Sequence, residues 1–334
     1  MNANGAAAVP AVAANTGSLS YLPVALFGSV MGLCGLAVGW QLAHQLYGAP
    51  QWAGQLAGAV AVLAFIALAI GYGIKALTGF DAVRAEFHHP IAGNLFGTLL
   101  ISVLLLPILI APYGMALARG LWVVGAAGMT LFAWLIVNRW LHRRQNVAHA
   151  TPAWIVPVVG MLDVPLAVPA LQWPQVHGVM MLGLAVGLFF AIPLFTMVMS
   201  RLLFEEPLPA AMEPSLLIML APFSVGFSSY VATMGQIDAF AQALYMLTLF
   251  MLAVLLGRLR HLRHCCPFRV SWWAVSFPLA SAATAALRYA GAAQNMVTDA
   301  IALALLAFAT LVIVGLLIRT LTGIARGELK TLTA

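Results

Sequence analysis

Charge is what this sequence lacks most. Only 7% of its 334 residues are Asp, Glu, Lys or Arg, against roughly 25% in an ordinary soluble domain. A water-exposed fold cannot cover its surface with so few charges, whereas a lipid-facing surface needs none. With 63% hydrophobic residues, the chain reads as an integral membrane protein. Cysteine is scarce too. There are three, two of them adjacent (Cys265, Cys266), so no disulfide framework can be built, and Cys34 sits in an apolar run as a small core residue. A Gly-rich phosphate loop, an H-E-x-x-H pair and a G-x-S-x-G elbow are all missing, which leaves ATP-driven transport and hydrolase chemistry without support. No enzyme activity and no cofactor are expected. The first 20 residues carry no charge and no Leu-rich stretch, which argues against a cleavable signal peptide and for a mobile tail.

What the sequence does have is long apolar runs. About 20 apolar residues cross the hydrocarbon core as a helix. Ten stretches qualify: residues 21–45, 52–76, 90–111, 115–138, 152–171, 176–203, 214–235, 238–257, 270–290 and 297–320. The runs are continuous and do not alternate with period two, which excludes a β-barrel. The expected fold is an all-α membrane protein whose ten transmembrane helices fill residues 21–322. A tail at 1–20 precedes them and a short cytoplasmic tail at 323–334 follows.

Orientation follows from the basic residues. Lys75, Arg84, Arg139, Arg143, Arg144, Arg201, Arg258, Arg260, Arg263, Arg269, Arg319, Arg326 and Lys330 fall on the side that holds both termini, and only Arg119 and Arg288 lie opposite. The positive-inside rule then places both termini in the cytoplasm, in what is expected to be a bacterial inner membrane. The formal charge of +6 has the same cause, so nucleic acid is not an expected partner.

Proline is distributed unevenly. The odd-numbered spans open with or contain Pro23, Pro90, Pro107, Pro152, Pro157, Pro165, Pro214, Pro222 and Pro278, whereas the even spans hold only Pro193 internally. A proline within a helix frees a carbonyl and kinks the axis, and in a bilayer such groups must be buried in protein or face a water-filled cavity. The odd spans are therefore expected to form an inner, cavity-lining ring and the even spans an outer one. The odd spans begin near residues 23, 90, 152, 214 and 270, at intervals of 56 to 67 residues. Pro23-Val-Ala-Leu-Phe27-Gly28 recurs loosely as Pro90-Ile-Ala-Gly-Asn94-Leu-Phe-Gly97. This spacing predicts a helical hairpin repeated five times.

Several segments carry a resemblance. They are His89-Pro90 with Asn94-Leu95-Phe96, Thr151-Pro152-Ala-Trp154-Ile-Val-Pro157, and the stretch from Pro222 to Ser229-Tyr230. The most specific is Ser271-Trp272-Trp273-Ala-Val-Ser-Phe277-Pro278-Leu279. Through them the chain resembles the tellurite-resistance/dicarboxylate (TehA-like) family, which includes bacterial tellurite-resistance proteins, fungal malate and sulfite transporters and the plant guard-cell slow anion channel. The resemblance implies five hairpins in quasi-five-fold arrangement around a central pore lined by the odd helices, usually in a homotrimer. It also implies a phenylalanine on span nine that plugs the pore, at the position of Phe277. Pro23, Phe27, Pro90, Asn94, Pro157, Pro222 and Pro278 are the expected pore-lining or kink residues. The plant members are opened by phosphorylation of long soluble tails. With about 20 residues before span one and about 14 after span ten, that control is expected to be absent.

One residue departs from the family pattern. Asp163 lies inside span five, where a carboxylate is costly and repels anions. A structural role is expected for it: paired with an arginine, protonated, or on a face away from the path beside Pro165. Lining the path would make it a proton-coupling site. Apart from Asp163, no charged residue is expected deep in a span. Anion selectivity is therefore assigned to broken-helix dipoles, the arginine-rich rim and Arg288 at the outer mouth.

The remaining polar clusters read as ordinary. His261-x-x-His264-Cys265-Cys266 has metal-ligand residue types but lies in an arginine-rich loop, and no metal site is expected there. His88-His89 is a capping or interfacial pair. Trp140, Trp154, Trp173, Trp272 and Trp273 are expected as interface anchors. The function expected is a gated anion channel or channel-like uniporter with small anions and the lipid bilayer as partners. The alternative is a proton-coupled carrier for C4-dicarboxylate, sulfite, tellurite or related oxyanions.

Overall fold

The computed structural model describes residues 19–265 and 268–333, with residues 258–265 described by their backbone alone. Nearly all of the tail at 1–20 and the side chains of His261, His264, Cys265 and Cys266 thus lie outside the described residues. Among the described residues ten helices are long and apolar enough to cross a membrane: spans one (Val24–Tyr47), two (Gln51–Thr78), three (Ala92–Ile110), four (Met115–His142) and five (Pro152–Leu171), then six (Pro174–Phe204), seven (Ala210–Met234), eight (Ala239–Gly257), nine (Val270–Ala293) and ten (Met296–Ala325). Every expected span is present. The short amphipathic helix Phe80–His88 joins spans two and three.

The two classes of span differ sharply in burial. The most apolar stretches of the odd spans are 78, 61, 83, 67 and 83% buried, and those of the even spans 17, 39, 33, 33 and 28%. The odd spans form the inner ring and the even spans surround them, as the prolines predicted.

The prolines act differently from simple kinks. Each odd span opens with a 3-10 segment: Val24–Leu26, Ala92–Leu95, Pro152–Ile155, Ala210–Leu220 and Val270–Val275. An α-helix takes over afterwards, and Pro157, Pro222 and Pro278 sit within the first turn of that α segment. The first N–H groups of an α-helix have no intrahelical acceptor, so proline costs nothing there. These residues mark the switch from 3-10 to α geometry and do not break a formed helix. Pro107 alone sits well inside the α-helix of span three. Span five is the extreme case, divided into short 3-10 and α pieces between Pro152 and Leu171. Its irregular backbone is satisfied from outside, since the indole N–H of Trp122 on span four donates to the Val164 carbonyl at 2.9 Å.

Small residues let spans one and nine approach closely. A methyl group built on Gly32 would fall on the Ser276 side chain, and one on Gly35 would lie 2.8 Å from the Ala280 methyl. The Ser276 hydroxyl donates across the contact to the Gly28 carbonyl at 3.2 Å. Within a bilayer, where apolar bulk is no more favoured inside than outside, such backbone contact drives helix association.

Some residues sit otherwise than their simplest reading suggests. Lys75, counted among the basic residues on the side of both termini, is 3% exposed and donates to Glu86 at 2.6 Å and to the Leu22 carbonyl at 2.7 Å. Glu86 also accepts from the Val24 N–H and the Tyr72 hydroxyl, so a buried pair at the start of span one ties it to span two. Arg201, near the end of span six, is also buried. Trp154 and Trp273 are core residues and not interface anchors. Trp154 stacks on Trp140 at 5.3 Å, and Trp273 donates to Thr320 on span ten at 3.0 Å. The short segment after residue 322 packs back on span ten, which runs to Ala325: Arg319 pairs with Glu328, and Leu332 packs against Gly323.

Candidate functional site

Two cavities lie along the axis of the inner ring. The larger, of about 170 Å³, sits toward the end where the odd spans begin. All five odd spans line it, through residues such as Met31, Thr98, Asp163, Ser215 and Phe277, and no even span contributes. The smaller, of about 40 Å³, lies toward the opposite end and is again lined by odd spans alone. Its walls include Gly35, Leu105, Leu166, Ser228, Ser281, Thr284 and Arg288. Only Phe277 and Val225 border both.

Local sequence explains where Phe277 stands. The 3-10 segment Val270–Val275 ends two residues before it, and Ser276 anchors the switch by donating back to the Trp273 carbonyl at 2.7 Å. Phe277 is therefore a first-turn residue of the α-helix Ser276–Ala293. Gly35 on span one lies beside the ring; a methyl group there would be 3.6 Å from it. The ring is 8% exposed.

The two cavities differ in charge. Asp163 is the one titratable side chain among the described lining residues of the larger, and Arg288 the one in the smaller. Asp163 closes the 3-10 turn Gly160–Asp163, is 2% exposed, and its Oδ1 has no hydrogen-bond partner. It forms no ion pair among the described residues, so of the structural roles expected for it, pairing with an arginine and facing away from the axis are not realised. Arg288 is half-buried, and its Nε is buried without a partner.

The other expected site residues divide. Pro278 lines the larger cavity beside Phe277. Phe27 does not: it is buried against span two, edge-on to Phe65 at 5.8 Å and Tyr72 at 6.3 Å. Asn94 turns its amide back to the Pro90 carbonyl at 3.0 Å, Pro23 caps the entry of span one, and Pro90 is exposed. Pro157 and Pro222 are buried at their helix starts without touching either cavity. His89 caps the turn that follows it, accepting the Ile91 and Ala92 N–H groups. Sequence reasoning missed Val225 and Ser228. Nothing distinguishes them in an apolar run except their position three and six residues after Pro222.

Known proteins resemble the chain across its spans. The chain is 28% identical over 307 residues to the S-type anion channel SLAH3 of Arabidopsis thaliana, covering 90% of this chain and 48% of that protein. It is 25% identical over 313 residues to the guard cell S-type anion channel SLAC1 of the same plant, covering 90% and 55%. It is 26% identical over 273 residues to the tellurite resistance protein TehA homolog of Haemophilus influenzae, covering 80% and 81%. The chain thus spans about half the length of these two plant channels. The family model described as "SLAC1: Voltage-dependent anion channel" matches residues 21–321, which include part or all of every span and both cavities, and the chain therefore belongs to that family.

Proposed function

We propose that this protein is a gated anion channel or channel-like uniporter in which small anions pass along the axis of the inner ring. One observation carries the reading. Two cavities, each lined only by odd spans, meet end to end at Phe277 and Val225. An aromatic ring between the two cavities would block ions sterically and by excluding water, which supports reading this conformation as closed. Membership of a family whose relatives are named as anion channels supports anions as the permeant class.

Because the path runs through a single chain, each protomer of the homotrimer that the resemblance implies carries its own. The clustering of basic residues at the wide-cavity end supports a cytoplasmic location for that end and both termini, in a bacterial inner membrane. That basic rim also favours entry of anions into the larger cavity.

A second reading, a proton-coupled carrier for dicarboxylate or another oxyanion, is favoured by Asp163. Its unpartnered carboxyl faces the larger cavity and has no evident structural partner. Ion-substitution recording in a planar bilayer separates the two. The channel reading predicts unitary current steps whose reversal follows the anion gradient. Saturable flux without unitary steps, following the proton gradient, would sink it in favour of the carrier.

A further inference from the structure

The smaller cavity contains an arrangement the channel reading does not require. Four of its lining side chains can donate hydrogen bonds: Ser228, Ser281, Thr284 and Arg288. Two of these are committed within the protein. Ser281 donates to the Pro278 carbonyl at 3.0 Å and lies 2.7 Å from the Ser224 hydroxyl, and Thr284 donates to the Ser281 carbonyl at 2.9 Å. The other two are not. Ser228 Oγ and Arg288 Nε are both buried with no hydrogen-bond partner, and Ser228 as a whole is 5% exposed.

Physical chemistry makes this pair informative. A buried hydroxyl or guanidinium N–H without an acceptor forfeits its hydration and gains nothing in exchange, at a cost of roughly 1–3 kcal/mol each. Native proteins seldom leave two such donors facing one space. No carboxylate lines this cavity, so nothing in the described residues neutralises Arg288. A half-buried cation whose buried Nε–H has no acceptor, beside an idle buried hydroxyl, suits an anionic ligand. The volume restricts that ligand. At about 40 Å³ this cavity is much the smaller of the two, which favours a small ion over an extended one.

We propose that Arg288 and Ser228 form a binding site for one small monovalent inorganic anion, of the halide or nitrate class, held immediately beyond Phe277. This rests on the reading of the two cavities as one path, of which the site is a station. Arg288 supplies the charge and a directed N–H, and the Ser228 hydroxyl replaces part of the hydration shell that the ion sheds. The larger cavity, with an unpartnered carboxyl, offers no such station. Within the path a dedicated anion station therefore lies on one side of the ring only, and Arg288 sets charge selectivity there.

Two measurements on the full chain test this. The first is anomalous scattering from crystals soaked in bromide. A peak within hydrogen-bond distance of Arg288 Nε and Ser228 Oγ is expected, and it should vanish in Arg288→Gln. Bromide elsewhere only, or nowhere, overturns the site. The second is the reversal potential of currents carried by Phe277→Ala protein. Adding Arg288→Gln should lower the chloride-over-sodium permeability ratio several-fold, Arg288→Lys should restore part of it, and Ser228→Ala should give a smaller loss. An unchanged ratio in both Arg288→Gln and Ser228→Ala contradicts the proposal. If Arg288→Gln fails to fold, Ser228→Ala and the wild-type bromide map decide. Failure of the path reading looks different: Phe277→Ala protein passes no current while the bromide peak remains.

Discussion

The inner and outer rings are built from the same apolar alphabet and obey different rules. In span two the most apolar stretch is 17% buried and presents Leu63 and Ile70 to lipid. In span nine the corresponding figure is 83%, and the face toward span one is Ser276, Ala280 and Thr284. Lipid accepts any large apolar side chain, so the outer ring needs only length and hydropathy. The inner ring must satisfy backbone groups freed by 3-10 entries and leave space on its axis. It therefore uses glycine, serine and proline at fixed places. Composition marks a span, but only small and proline residues mark which ring it joins.

The comparison predicts large effects inside and small ones outside. Gly32→Leu should be the most damaging change, because span nine leaves no room for a side chain there. No folded protein should survive detergent extraction, and a well-folded variant would mean that spans one and nine do not pack as described. Next comes the buried pair that ties the inner ring to the outer. Glu86→Gln leaves Lys75 charged, buried and short of its partner, and should cost on the order of 3 kcal/mol in thermal unfolding.

Asp163→Asn keeps the shape of the larger cavity and removes its one ionisable group. We expect it to fold, to leave anion current through Phe277→Ala protein undiminished, and to flatten the dependence of that current on pH. Retention of the wild-type pH profile would return Asp163 to a structural role. In the outer ring, Leu63→Ala should shift stability by no more than about 0.5 kcal/mol, since Leu63 is 66% exposed in the protein and meets lipid.

The smallest effect concerns Asp238, which lies outside both rings at the turn between spans seven and eight. The Tyr230 hydroxyl, at 2.6 Å, and the Ala241 N–H hold its carboxyl below the usual carboxylate range. Such a group stabilises the folded state above its ordinary pKa, and the contribution is lost as pH falls through the lowered value. A slight loosening of this hairpin below about pH 4 should be visible by hydrogen exchange in wild type and absent in Asp238→Asn.

Much of this architecture could be read in the sequence. Ten spans and the ring to which each belongs followed from run length and from proline, because both respond to the absence of water in the bilayer. The rotation of each helix about its axis did not follow. Span one is apolar all round, so nothing in its periodicity shows that Phe27 faces span two while Met31 faces the cavity. Trp154 and Trp273 sit at span entries, where tryptophan is commonly interfacial, and only the tertiary partners Trp140 and Thr320 reveal them as core. Lys75 misled for a similar reason: a lysine near a span end reads as solvated until Glu86, eleven residues later, folds back on it. Phe277 was identified through resemblance, and the first-turn geometry after a 3-10 entry supplies the physical reason for its position.

The central claim is that one inner-ring path is interrupted at Phe277. Conductance of Phe277→Ala protein in a planar bilayer tests it most directly. Removing the ring joins the two cavities without altering any charge, so anion conductance should rise several-fold or more while anion-over-cation selectivity is retained. Phe277→Leu should fall between the two, and Trp272→Ala, away from the waist, should affect yield more than current. Well-folded Phe277→Ala protein that conducts no better than wild type would contradict the account.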